Sequence, residues 1–218
     1  RDGGGGGPGV SQGTTGGREV QLAAPASRYV PQLQETPKFA EIYPPNTFKL
    51  SPLQFAANGL FKGTTEGEAA AARWGYLDGY QVEFQPIDRL SAVVKGAYYV
   101  TIEGYLFETQ DGARQAYQAY EDLYAGITGS ERDTNVKGLG NQSSGWRVFQ
   151  GVVGTSELRG VYHRFVFRRG NLVAVVQTYG AEPFMTIDRA RELAVIIDEK
   201  ALGQRPSPSP TPQPTTTP

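Results

Sequence analysis

The feature that most constrains this chain is a pair of runs, Val161 to Phe167 and Leu172 to Tyr179, separated by Arg168-Arg169-Gly170-Asn171. Both runs are rich in β-branched and aromatic residues, and the link holds Gly and Asn, which accept positive φ, so the sequence predicts a β-hairpin. A hairpin commits its neighbours to an antiparallel sheet. Tyr80 to Phe84 and Tyr98 to Leu106 alternate large and polar residues, as strands with one buried face do. Trp146 to Val153 has the composition of another strand.

Three stretches carry helical signals instead. Thr64 to Trp74 has Glu66 and Glu68 near its start, four consecutive alanines, and Gly75 as a stop. Ala113, Ala116, Tyr117, Tyr120, Leu123 and Tyr124 form one helical stripe, with Thr109 as the expected cap and Asp111 in the first turn. Ile187, Ala190, Leu193, Ala194, Ile197 and Ala201 form another, with Thr186 as cap and Gly203 as stop. Pro44, Pro45 and Pro52 forbid a long helix between residues 37 and 52, which is expected to wrap the surface. Residues 126–145 read as a polar loop.

Asp111-Gly112-Ala113-Arg114 is echoed by Asp188-Arg189-Ala190-Arg191, and each opens a helix of the same phase. The echo fits either an internal ββα duplication or two amphipathic helices obeying one rule. Strands in runs with short links predict an α+β fold: a two-layer sandwich, an antiparallel sheet of about five strands with helices on one face.

The two ends carry no such periodicity. Gly3 to Gly7 and the Gly/Ser/Thr-rich residues after them read as a flexible linker, and residues 1–36 are expected to be disordered. Residues 204–218, dominated by Pro, Ser and Thr, have no apolar payload and are expected to be an extended, polyproline-like tail. That leaves one domain over residues 37–203, a normal size for a single core. The first residue is Arg1 rather than Met, which predicts either a removed signal peptide or a lipidated cysteine just upstream, with a plain truncation as the other reading. The only membrane contact expected is through such a lipid anchor, since no stretch reaches the roughly 18 apolar residues of a spanning helix.

Charge narrows the partners. With 21 Lys+Arg against 22 Asp+Glu, the chain has no excess positive field to hold nucleic acid. The complete lack of cysteine removes disulfides, thiolate metal sites and cysteine nucleophiles, and leaves the compartment open.

Several motifs together carry a resemblance: Trp74-Gly75-x-x-x-Gly79-Tyr80-x-x-x-Phe84, Asp111-x-Ala113-Arg114, Gly138-Leu139-Gly140-Asn141-Gln142-Ser143, and Phe167 to Val173. The chain resembles, over about residues 50 to 203, bacterial secreted proteins and lipoproteins of general PsbP-like or extracellular sensor-like sandwich shape. The resemblance implies an extracellular or cell-envelope setting and assigns no catalytic residue.

The residues themselves supply few chemical constellations. His163 is the single histidine, so no metal site of two or three imidazoles can form, and by alternation it lies beside Val161, Phe165 and Phe167 as a partly buried core residue. A nucleophilic triad would have to gather around it, yet Ser143, Ser144 and Ser156 lie in no nucleophile-elbow sequence. Glu83, Asp88, Glu103 and Glu108 could supply paired carboxylates, and their spacing equally fits a solvated sheet face. Gly138-Leu139-Gly140 precedes a strand and lacks a following lysine, so it reads as a turn rather than a phosphate cradle. Asn141-Gln142-Ser143 is formally a glycosylation sequon.

What remains points to binding. Arg164 and Arg168 share a strand face, with Arg169 at the turn, a cluster able to grip a carboxylate or phosphate. Tyr99, Tyr105 and Tyr162 lie on strands where amphipathic rings could line a groove. The expected function is a non-enzymatic, exported domain binding a small ligand or an envelope protein through these residues, without cofactor or metal. The alternatives are an accessory subunit of a membrane-associated complex and, behind it, a carboxylate-based hydrolase.

Overall fold

A computed structural model describes residues 19–36, 41–86, 97–152, 159–182 and 185–206. The strands are β1 (Glu41–Ile42), β2 (Phe48–Leu50), β3 (Tyr76–Gln85), β4 (Ala97–Phe107), β5 (Ser130–Arg132), β6 (Gln142–Val152), β7 (Arg159–Arg169) and β8 (Leu172–Ala181). The helices are α1 (Pro52–Ala56), α2 (Thr64–Trp74), α3 (Gln110–Gly126) and α4 (Ile187–Ala201). All strand pairings are antiparallel, in the order β1-β3-β4-β8-β7-β6-β5, with β2 also on the free side of β3.

The β7–β8 hairpin forms as expected, with Arg169 opposite Leu172 across a two-residue loop. Gly170 alone takes positive φ, 56°, while Asn171 does not. A loop needing positive φ only at its first position is a type II′ turn. Asn171 is there for its side chain instead: its Oδ1 accepts from Leu22 N at 2.7 Å, and its Nδ2 donates to Phe107 O at 2.7 Å and Leu22 O at 3.0 Å.

The α+β class holds, while two features of the expected architecture are corrected. Among the described residues the sheet has eight strands rather than about five. The three extra ones are short, two or three residues each, and carry too little pattern to be legible. Helices also cover both faces rather than one. On β4, Val100, Ile102 and Leu106 point to the core under α4, while Tyr105 and Phe107 point to the core under α1, α2 and α3. The central strands are therefore apolar on both sides, as β8 shows with Leu172 to Val176 continuously buried.

Opposite faces also dispose of the duplication. A two-fold axis relating the antiparallel neighbours β4 and β8 runs normal to the sheet and returns each face to itself. It would carry α3 onto the face α3 already occupies, whereas α4 packs on the other. The two helices share a pattern, not a repeat.

Residues 19–36, expected within the linker, belong to the fold. Leu22, Ala26 and Val30 are buried in the α4-side core. The segment is pinned by Asn171 at Leu22, by Asp78, whose Oδ2 accepts from Ala26 N at 2.7 Å, and by Lys200, which donates to Val30 O at 2.9 Å. Short 3-10 turns without helical or strand periodicity hid it from pattern reading. The expected linker over 1–18 and the tail over 207–218 lie outside the described residues.

Of residues 37–52, expected as irregular wrapping, the described part, 41–52, forms β1, β2 and the start of α1, which Ser51 caps with Pro52 in its first turn. α3 begins where expected, Thr109 accepting from Gly112 N at 3.0 Å. Gly112 lets α3 cross against the end of α2: a Cβ there would stand 1.9 Å from Trp74 O.

Candidate functional site

Sheet register sorts the α3-side residues into rows across β4, β8 and β7. Tyr99, Tyr179 and Tyr162 align; then Thr101, Gln177 and Arg164; then Glu103, Val175 and Val166. α3 covers the rows toward the β7–β8 turn and stops short of the tyrosine row. Under its C-terminal half lies a cleft of about 160 Å³. Its floor is Thr101, Glu103, Arg164, Val175 and Gln177 of the sheet. Its roof is Tyr120, Leu123 and Tyr124 of α3, and Asn58 closes one end.

Two charged groups of opposite sign line this space. Glu103 accepts from the Tyr105 hydroxyl through Oε2 at 2.8 Å, and among the described residues its Oε1 has no hydrogen-bond partner. Burial pushes its carboxyl pKa up, while the Tyr105 hydroxyl and the Arg164 charge pull it back. Arg164 donates from Nε to Gln177 Oε1 at 2.8 Å, and its Nη1 is buried without a partner. Its guanidinium lies 5.1 Å from the Tyr124 ring centre and 5.5 Å from that of Tyr162, contacts that fix its position. Among the described residues neither Glu103 nor Arg164 belongs to an ion pair.

The tyrosines around the cleft are neutral donors. Burial pushes the Tyr105, Tyr120 and Tyr124 hydroxyls well above their ordinary pKa. Asn58 Nδ2 donates to the Tyr120 hydroxyl at 3.0 Å and the Tyr105 hydroxyl at 3.3 Å. At the open end, Tyr162 stacks on Tyr179 with ring centres 4.3 Å apart, and the Tyr99 and Tyr162 hydroxyls are 3.2 Å apart.

Of the residues expected to bind, Arg164, Tyr99 and Tyr162 gather in and beside the cleft; the other three do not. Arg168 shares the face with Arg164 but is buried, donating to Gln142 Oε1 at 2.8 Å and Gly170 O at 2.9 Å and standing 3.6 Å from Glu19. Arg169 lies on the α4 face, bound to Asp198 at 2.6 and 2.8 Å. Tyr105 is fully buried beneath the site and reaches it only indirectly, its hydroxyl meeting Glu103 and Asn58. Sequence reading found Arg164 by alternation but did not single out Gln177, Thr101 or Asn58, whose relevance arises from cross-strand register and from the loop after α1.

The other constellations resolve into structural roles. His163 is buried on the α4 face, its Nε2 3.3 Å from Glu182 Oε1, and burial lowers its pKa. Ser144 bonds Glu121 and Trp146 on the opposite face, and Ser143 accepts from Leu139 N, so neither of these serines hydrogen-bonds the histidine. Ser156 and Asp88 lie outside the described residues. Glu83 is held by Asn46 and Gln85 and does not line the cleft, so no second carboxylate meets Glu103 there. Gly138 lies in the irregular segment before β6, its carbonyl accepting from Arg191, and Asn141 is buried with its Oδ1 accepting from Gly170 N. Among the described residues no group of three His, Asp or Glu could hold a metal ion.

No family model matches this chain, and no curated protein matches it. Among solved structures, the extracellular domain of PknH from Mycobacterium tuberculosis is similar at a TM-score of 0.39 and 16% identity, covering 72% of this chain and 78% of that one. A similarity that loose carries no argument, and the function rests on the cleft.

Proposed function

We propose that this chain is a non-enzymatic, exported binding domain that takes a small polar ligand in the cleft between α3 and strands β4, β8 and β7. The observation that carries it is Arg164. A half-buried guanidinium has five N–H donors, and here one is used by a protein acceptor. Leaving such a charge unmatched, beside a carboxylate with one oxygen unpartnered among the described residues, is costly unless a ligand or its stand-in water meets it. Rings that clamp the arginine in place pre-organise it for that purpose. Tyr99 and Tyr162 extend the surface at the open end.

Chemical-shift mapping on the isotope-labelled chain, using small molecules extracted from its source, tests the site. Shifts should centre on Thr101, Gln177 and Tyr124; shifts confined to the α4 face would end the proposal. The exported setting is supported by the composition of the two ends, and mass spectrometry of the native protein tests it: a lipidated or signal-processed N-terminus is expected. The accessory-subunit alternative lacks a supporting observation. Among the described residues the large exposed hydrophobics are Leu53 and Leu77, short of the contiguous patch a docking subunit would present.

A further inference from the structure

The charges in the cleft specify more than polarity. Arg164 and Glu103 line one space, separated too far for an ion pair yet close enough that the arginine's charge is felt at the carboxyl. A purely anionic ligand would satisfy Arg164 and place a like charge beside Glu103; a purely cationic one would do the reverse. A neutral polyol would keep both charges from water and give neither an opposite. Only a molecule with both signs satisfies both residues.

Size limits the spacing of those signs. A cleft of about 160 Å³ holds about five waters at roughly 30 Å³ each, well below the roughly 300 Å³ at which drug-sized pockets begin. A ligand seated wholly within the cleft therefore carries its two charged groups on a short carbon skeleton. Resting on the binding-domain reading above, we infer that the cleft takes a small zwitterion of the α-amino-acid class, its carboxylate on Arg164 and its ammonium on Glu103. The planar guanidinium fork suits a carboxylate, and Glu103 Oε1 is left to receive an ammonium. Gln177 and the Tyr105 hydroxyl hold the two charged groups in place rather than meeting the ligand's charges themselves.

Calorimetry on the full chain tests this with a panel of the common L-α-amino acids at millimolar concentration, set against propionate, ethylamine and glucose. At least one amino acid should bind, with propionate and ethylamine at least about tenfold weaker. Arg164→Gln and Glu103→Gln should each weaken that binding at least about tenfold, with the fold confirmed by circular dichroism. Propionate binding as tightly as the amino acids, or amino-acid binding untouched in both variants, overturns the inference. Glucose shifting Thr101 and Gln177 while no amino acid does so would overturn the zwitterion and keep the cleft. Silence from every probe and from source extract at these residues would overturn both.

Discussion

Strand β7 presents arginines to both faces of the same sheet, and their treatment differs. Toward α4, Arg169 is buried and meets Asp198 through two hydrogen bonds. Lys200 on the same face is matched by Glu35 and the Val30 carbonyl. Toward α3, Arg164 and Glu103 share a cleft without pairing, while Arg168, four residues along the strand, is matched by Glu19, Gln142 and Gly170. Buried charge that is matched holds elements together, here α4 to the sheet and the N-terminal segment to both. Other buried polar atoms also lack a partner, His163 Nδ1 and Thr178 Oγ1 among them, but Arg164 Nη1 belongs to a charged group that lines a cleft, which is where something else can arrive.

The sharpest way to break this contrast is to truncate the matched side. Arg169→Ala strands Asp198 without its partner and should lower unfolding free energy by about 3–5 kcal/mol in urea titrations. Asn171→Ala comes next: it deletes three hydrogen bonds and leaves the Leu22 and Phe107 backbone groups buried and unpaired. A loss of about 2–4 kcal/mol is expected, with limited proteolysis cutting within residues 19–36 before the domain unfolds. On the unmatched side, Arg164→Ala should shift stability by only about 1 kcal/mol, since the one charge-assisted hydrogen bond and two ring contacts it surrenders are offset by removing a half-buried, unpaired charge. Equal losses at Arg164 and Arg169 would show that the cleft arginine is structural.

How far the sequence could see this contrast depends on range. Alternation placed Arg164 and Arg168 on one face, and the hairpin, the long strands and the stripes of α3 and α4 followed from local periodicity. Periodicity cannot say which face a helix will choose, and a two-residue strand has no period, so the second layer and the edge strands were illegible. The N-terminal segment was invisible for another reason: its anchors, Asn171 and Lys200, lie 149 and 170 residues away from Leu22 and Val30. Arg169 next to Arg168 looked like part of one cluster because only the tertiary position of Asp198 separates a lock from a ligand site.

Glu103→Gln should have the smallest effect on stability and the most informative sign. The groups facing Glu103 are Tyr105 on its own strand, Arg164 from β7, and Tyr120 and Tyr124 from α3. Burial dominates them and raises the carboxyl pKa, so the folded protein holds this proton more tightly than the unfolded chain. The associated stability is fully present below the unfolded pKa and is lost as pH rises through the folded one. Glutamine keeps the shape and cannot ionise, so the variant should melt higher than the parent at neutral pH and lose that advantage in acid, where Glu103 is itself protonated. A residue whose removal stabilises the free protein and abolishes its binding is one kept for a ligand. A melting temperature that falls at neutral pH would mean that Arg164 already satisfies Glu103 across the cleft, and the two faces of the sheet would then be alike.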